Sequence, residues 1–295
     1  MEFKLRVPAS MSNLGAGFDT FGLAVNLYNI FHIKSHDTFS ITFLNVDIKP
    51  EENLFLKVYK RCLEAFNEKE KPVHISIKTE IPFSRGLGSS SSAIIGAIKV
   101  FSVLYEKNLS YDDIFKIAYE FEPHPDNLVP ALVGGFNVCL KDNDKTIFNT
   151  LDFPEELKII AIIPDVKIST EEARKILPQK IDIKDAVYNI QRSNLLLSSL
   201  ILKRFELLKE ALKDKIHQPY RKSLIPYYDD VEKIAYDSGA LGVFISGSGS
   251  TIGIFTLQNE CLITNRISQF LRSKSVENTS KVLKVDKEGA KLCQS

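Results

Sequence analysis

The segment Pro82-Phe83-Ser84-Arg85-Gly86-Leu87-Gly88-Ser89-Ser90-Ser91-Ser92 constrains this chain most, because it joins a strand-like run to a helix that is apolar on nearly every side. Ahead of it, Val73, Ile75 and Ile77 alternate with polar residues, the period of a strand. Behind it, Ser89 to Tyr105 carries Ala93, Ile94, Ile95, Ala97, Ile98, Val100, Phe101, Val103 and Leu104, so this helix belongs inside a core. Two glycines let the backbone turn tightly and come close to a ligand. The serines fall at a helix start, where free N–H groups and the positive dipole end favour an anion. Their hydroxyls can donate to phosphate oxygens or ligate Mg²⁺, and Arg85 adds positive charge. One serine suffices as a helix cap; four in a row exceed that need and point to phosphate. The third glycine of a dinucleotide fingerprint is missing, with Ser91 in its place.

Composition narrows the remaining classes. The 295 residues suit one large domain or two smaller ones, and 38 basic against 37 acidic residues leave a formal charge of +1. A nucleic-acid binder would show a basic excess or stripe, and neither is present. No apolar run is long enough to span a bilayer. The charged start Met1-Glu2-Phe3-Lys4-Leu5-Arg6 is unlike a signal peptide, so the expected location is the cytoplasm. Cys62, Cys139, Cys261 and Cys293 form no C-x-x-C pair, and the five histidines form no H-E-x-x-H. No Gly-Lys pair exists for a Walker A loop, and no G-x-S-x-G elbow is present.

Hydrophobic periodicity predicts a strand over Phe3–Val7, paired strands within Phe31–Phe43, and a helix over Asn53–Phe66 with Glu51 and Glu52 at its start. It also predicts a helix over Tyr111–Glu122, strands over Val133–Leu140 and Leu157–Ile163, and helix across Ala186–Leu212. Two strands, Leu241–Ile245 and Thr251–Leu257, flank Ser246–Ser250. Hairpins mixed with helices argue for an α+β fold, with a domain boundary near residue 150: an N-terminal domain over 1–150 and a C-terminal one over 151–295.

Three further clusters carry possible chemistry. Ser246-Gly247-Ser248-Gly249-Ser250 is a tight loop that reads either as a plain hairpin turn or as the far side of the same phosphate pocket. Glu122-Pro123-His124-Pro125-Asp126-Asn127 is a polar cluster whose prolines set the backbone, so its side chains project in fixed directions. Glu120 and Glu122 are candidate Mg²⁺ ligands, since a hard cation beside phosphate takes carboxylate oxygen. Arg174 and Arg221 offer guanidinium forks suited to a carboxylate, and Thr170 lies one helical turn before Arg174.

Taken in order, these motifs resemble the GHMP kinase superfamily and, within it, the homoserine kinase family. Val7-Pro-Ala-Ser-Met-Ser-Asn13-Leu-Gly-Ala-Gly-Phe-Asp19, Pro82 to Ala93, and Gly239 to Thr251 carry the superfamily likeness. Asn13 to Leu23, His124-Pro-Asp-Asn127 with Gly134-Gly135, and the settings of Arg174 and Arg221 carry the narrower one. The resemblance implies a ribosomal-protein-like N-terminal domain that binds ATP, a ferredoxin-like C-terminal domain, and an active site between them. It also implies Mg²⁺, a homodimer, and phosphorylation of the side-chain hydroxyl of L-homoserine toward threonine.

By the same resemblance Asn13, Asp19, Thr170, Arg174, Arg221 and Gly249 hold the amino acid. His124, Asn127 and Glu122 lie at its reacting end, and Ser90 joins Glu120 or Glu122 at the metal. Pro82 through Ser92 cradle the ATP phosphates, and Asn53 meets the base. Ser250 stands where the family has proline, and Pro123 where it has glycine before His124. Asp126 is the nearest candidate for a base, although the family pattern gives it the role of supporting the turn. Two other readings are a kinase of the same superfamily acting on mevalonate, and a non-catalytic nucleotide-binding regulator.

Overall fold

The computed structural model describes residues 1–47, 53–143 and 145–293. Its framework begins with β1 (Glu2–Ser12) and β2 (Phe21–Ser35), a long antiparallel pair joined by loop 13–20, which contains Gly15 and Gly17. The chain continues through β3 (Ser40–Phe43), α1 (Leu54–Ala65), β4 (Val73–Thr79), α2 (Ser89–Leu104) and α3 (Tyr111–Ala118). It then runs through α4 (Pro125–Val133), β5 (Phe136–Asp142) and β6 (Lys145–Leu151). Glu51 and Glu52, expected at the start of α1, lie outside the described residues.

The second half holds β7 (Lys158–Pro164), α5 (Thr170–Lys175), α6 (Ile183–Ile201), α7 (Leu208–Ala211), α8 (Gln218–Arg221) and α9 (Tyr228–Asp237). It closes with β8 (Gly242–Ile245), β9 (Ile252–Thr256), α10 (Glu260–Ser273), β10 (Asn278–Leu283) and β11 (Lys291–Leu292).

Two sheets organise these elements. The first has the order β11-β1-β2-β4-β3, with β5 and β6 continuing from the other end of β2; the second has the order β10-β7-β9-β8. Helices α1 to α4 bury one face of the first sheet, where Leu5, Phe31, Ile33, Ile75 and Ile77 meet Phe55, Ile94, Ile98, Phe101 and Phe115. Past a register shift between Pro8 and Ala9, β1 turns Ala9 and Met11 into a second cluster that joins the two sheets through Ile159, Ala161, Phe244 and Phe255. The other face of the second sheet packs on α9 and α10. The result is the expected α+β architecture, and α2 is as buried as its composition demands.

Several local expectations change. β3 does not pair with β2; it lies parallel to β4. The helix expected over Tyr111–Glu122 stops at Ala118 and leaves through turns. The polar cluster near His124, for which no helix was expected, opens one, because Pro125 at the first helical position has its fixed φ already suited to that place. The helix expected to Leu212 ends at Ile201 and resumes as the short α7. The sheets divide between Leu151 and Lys158, near the expected boundary. Even so, the tail returns to the first sheet, where Leu292 pairs with Leu5 and Val285 bridges Val25.

Candidate active site

A cavity of about 270 Å³ opens where loops from both sheets meet. Its walls come from Ser12 and Asn13, Ser84 to Ser91, Glu122, His124, Asp126 and Asn127, Ile168 to Thr170, Arg174, Arg221, and Gly247 with Ser248. The two glycine loops therefore share one site, as the second of the two readings of Ser246–Ser250 required.

At one end the wall is backbone. Gly88 caps α2 at φ +66°, and a Cβ there would stand 2.1 Å from Ser10 Oγ. Gly86, at φ +72°, lies so close to the other loop that a Cβ would meet the Ser246 carbonyl oxygen at 2.1 Å. Ser246 Oγ donates to the Gly86 carbonyl at 2.6 Å, and the Thr251 N–H donates to the Arg85 carbonyl at 3.1 Å, locking the loops together. The α2 N-terminus faces the cavity, and the buried Ser89 Oγ has no partner among the described residues. An orphaned hydroxyl beside open helix N–H groups is a cradle for an anion.

The expected phosphate segment divides by depth. Ser84, Arg85, Gly86, Leu87, Gly88, Ser89, Ser90 and Ser91 line the cavity. Ser92 does not: its Oγ is buried, donates to the Val7 carbonyl and accepts from Asn29. The Arg85 guanidinium is committed to Asp165 and the Phe83 carbonyl, so it ties α2's loop to the second half of the chain. Pro82 lines a separate indentation with Asp165 and Glu277. Phe83 lines an adjoining cavity of about 390 Å³ together with Asn53, Ser89 and Ser90. Asn53 also caps α1, its Oδ1 accepting from the Leu56 N–H at 3.0 Å.

The opposite end is built from side chains. Arg174 forks onto Asp19 at 2.6 and 3.2 Å, and both groups are about one-third exposed. Arg221 is buried and donates to the carbonyls of Gly247 and Ala173. Burial, with Arg174 nearby, pulls its pKa down to about 10. The Phe18 ring lies 5.3 Å from Arg174 and 5.2 Å from Arg221, so it seats both cations. Asn13, at φ +70°, donates to the Gly247 carbonyl at 3.1 Å and accepts from the Asp19 N–H at 3.0 Å, closing its own loop and tying it to the 246–250 loop. Thr170 lines the cavity at the start of α5. Gly249 lies behind the wall, against Ile225 and Ile168.

Between the ends sits the cluster that opens α4. His124 Nδ1 is 2.7 Å from a Glu122 carboxylate oxygen. Asn127 is oriented twice, its Oδ1 accepting from Ser10 at 2.8 Å and its Nδ2 donating to Ser12 at 2.9 Å. Asp126 is buried, and desolvation, helped by the Asp19 charge, pushes its carboxyl up to about 7. Glu120 is a correction to the pair of candidate metal ligands. It points away to Arg61, which holds both of its oxygens at 2.7 and 2.9 Å, so only Glu122 reaches the cavity. No cluster of three or more His, Cys, Asp or Glu side chains among the described residues could hold a metal by itself.

Ser10, Ser12 and Phe18 take part in this arrangement although no role was expected of them, while Gly247 and Ser248 do so from within the loop already read as a possible pocket wall. The concentration of Ser, Gly and Asn between Ser10 and Asp19 was the available signal for the first three.

Comparison with known proteins gives the same picture. The pattern "GHMP kinases N terminal domain" matches residues 53–135, and "GHMP kinases C terminal" matches residues 196–270. The homoserine kinase of Persephonella marina is 44% identical over 98% of this chain and 97% of its own length. That of Aquifex aeolicus is 43% identical over 98% and 99%. The crystal structure of homoserine kinase from Cytophaga hutchinsonii superposes with a TM-score of 0.86 at 28% identity, covering 99% of this chain and 97% of that one. A mevalonate kinase from Methanococcus jannaschii, at TM-score 0.70 and 20% identity over 97% and 99%, shares the fold. With cradle, fork and full-length likeness together, the chain belongs to the GHMP kinase family, among its homoserine kinases.

Proposed function

We propose that this enzyme transfers the γ-phosphoryl group of ATP to the side-chain hydroxyl of L-homoserine, forming O-phospho-L-homoserine for threonine synthesis in the cytoplasm. The observation that carries the reading is one cavity with an anion cradle at one end and two guanidinium groups beside a carboxylate at the other. In this reading the chain divides near residue 150 into a nucleotide-binding half and a half that supplies Thr170, Arg174 and Arg221.

The adjoining cavity beside Asn53 and Phe83 takes the nucleotide base, and Ser89 to Ser91 with the α2 N-terminus take the phosphates. Arg174 and Arg221 take the substrate carboxylate, while Asp19 takes its ammonium group by exchanging part of its bond to Arg174. That pairing of both charge signs favours a zwitterionic amino acid over mevalonate, which has no ammonium. Asn127, held by Ser10 and Ser12, orients the acceptor hydroxyl, with His124 and Glu122 beside it. Gly249 shapes the site through backbone position.

The oxygen donors Ser90 and Glu122 line the same wall and suit a hard cation, so they would hold Mg²⁺ together with the phosphates. The metal supplies neutralisation of charge on the transferring group. The protein's contribution is alignment and charge complementarity, which suit a loose transition state. Asp126, buried behind Asn127, supports the start of α4; abolished turnover in Asp126→Asn with substrate binding intact would instead make it the base.

The test is ADP release with ATP and Mg²⁺ against L-homoserine, L-threonine, mevalonate and no acceptor. Turnover confined to homoserine is the expected result. Turnover on mevalonate would overturn the reading of the arginines, and nucleotide binding without turnover would make the protein a regulator.

A further inference from the structure

His217 is a fully buried polar side chain beside the cavity that the proposed reaction does not use. It precedes α8, its ring is fully buried, and its Nε2 lies 2.8 Å from the Gly15 carbonyl oxygen. A carbonyl only accepts, so Nε2 carries the hydrogen. In the neutral ring Nδ1 then keeps its lone pair, and it faces Arg221 Nη1 at 3.4 Å. The same Nη1 donates to the Gly247 carbonyl at 2.7 Å, and Nε donates to the Ala173 carbonyl at 3.3 Å. Three acceptors from three separate segments thus hold Nε and Nη1 of the guanidinium. Nη2 bonds to no protein group among the described residues, and Arg221 lines the cavity. The imidazole also stacks on Phe18 at 5.1 Å, the ring beneath both arginines.

We propose that His217, held as the neutral Nε2–H tautomer, is a positioning residue that aims the unbonded Nη2 group of Arg221 at the carboxylate of the amino-acid substrate. The proposal rests on the reading of Arg221 as a carboxylate ligand. A protonated ring would set an N–H against an N–H and a cation against a cation. The surroundings prevent that: burial, and then the Arg221 charge, hold the imidazole below its ordinary pKa. The Asp214 carboxylate, 3.6 Å from Nε2, opposes this. Its oxygens are already taken by the N–H groups of Ile216, His217 and Gln218 and by Asn189. The neighbour's charge is therefore spent on the start of α8, and the imidazole remains a neutral acceptor.

Four variants of the full chain test this: His217→Gln, His217→Asn, Arg221→Lys, and His217→Gln combined with Arg221→Lys. Glutamine places an amide near the Nε2 position and keeps the Gly15 bond, while leaving Arg221 without its acceptor. Asparagine places a carbonyl oxygen near the Nδ1 position. Thermal unfolding is followed for each, and kinetic constants are taken below every midpoint. His217→Gln should raise the homoserine KM about tenfold, with the ATP KM and kcat within about twofold, the effect of one unsatisfied charged donor. His217→Asn should recover most of that loss. On the Arg221→Lys background, His217→Gln should add less than about threefold, because the group it acts through is gone.

Equal effects of glutamine and asparagine would overturn the proposal. So would a parallel rise in the ATP KM, or full multiplication on the lysine background. An unchanged homoserine KM in Arg221→Lys would overturn the reading of Arg221 and this proposal with it. A raised KM there beside an unchanged one in His217→Gln would overturn the His217 assignment alone.

Discussion

The two ends of the cavity are made of different material. The end proposed for phosphate is backbone: glycines at positive φ and helix N–H groups, with Ser89, Ser90 and Ser91 closing a contiguous lining that starts at Ser84. The end proposed for the amino acid is side chain, assembled from Asp19, Arg174 and Arg221, with Phe18 beneath and Asn13 across. Backbone cradles tolerate side-chain change but no extra Cβ, whereas side-chain clamps tolerate backbone neighbours but not truncation. The ends should therefore fail in different ways.

The largest effect should follow loss of the fork. Arg174→Ala should lower kcat/KM for homoserine by about 10²- to 10³-fold, the cost of leaving a charge pair half made, while the ATP KM stays within about twofold. Its melting midpoint should barely move, since the Asp19 pair is partly exposed in the free protein. A matching loss in ATP affinity would dissolve the separation of the two ends.

Gly86→Ala should act on both substrates at once. Its Cβ meets a backbone oxygen of the opposing loop at 2.1 Å, and φ is +72°, so the two loops must part. Turnover should fall by about 10²-fold through misplacement of the reacting groups, with a lowered melting midpoint. Steady-state constants for ATP and homoserine in the variant check this; a homoserine-only defect would contradict the joint wall.

A smaller effect concerns stability against pH at the junction of the two ends. Asp126 titrates at about 7 in the folded state against an ordinary 3.8, so the folded chain holds this proton longer than the unfolded chain. Stability is then present at low pH and lost as pH rises through that window. Asp126→Asn removes the dependence, so its unfolding free energy should gain on the parent by up to about 1.4 kcal/mol per pH unit across the window. Denaturant titrations at several pH values read this, and parallel curves would refute the buried-acid assignment.

The smallest effect belongs to Glu120. Glu120→Gln loosens a surface pair with Arg61 and should cost no more than about 1 kcal/mol, with turnover and Mg²⁺ dependence unchanged. Glu122→Gln should shift the Mg²⁺ dependence instead. The reverse pattern would return Glu120 to the site.

This contrast also explains what could be read before the fold was known. The cradle was legible because everything that makes it lies within eleven consecutive residues, next to a helix whose apolar surface admits only a buried place. The depth of each serine was not legible: Ser92 differs from Ser89 only by where the α2 turn sends it, inward to Val7 and Asn29. The arginines were visible as residues, but only the family resemblance brought them together, because Phe18, which seats both, shows no periodicity within its loop. Glu120 and Glu122 were inseparable by type. They part because the chain leaves α3 through turns after Ala118, which carries Glu120 to Arg61 and Glu122 to His124. β3 was misassigned to β2 since period-2 alternation says nothing of partner or direction.

The return of the tail to the first sheet has a consequence for how the chain is made. Until residues 285–292 leave the ribosome, the outer edge of β1 lacks the strand that pairs with Leu5 and Arg6. Asp286, which accepts from the Tyr28 hydroxyl and the Gly289 N–H, is missing over the same interval. The first sheet is thus begun early in synthesis and sealed late, with an open edge exposed meanwhile. A nascent chain stalled before residue 284 should be protease-sensitive along β1, while its α2 core is already protected.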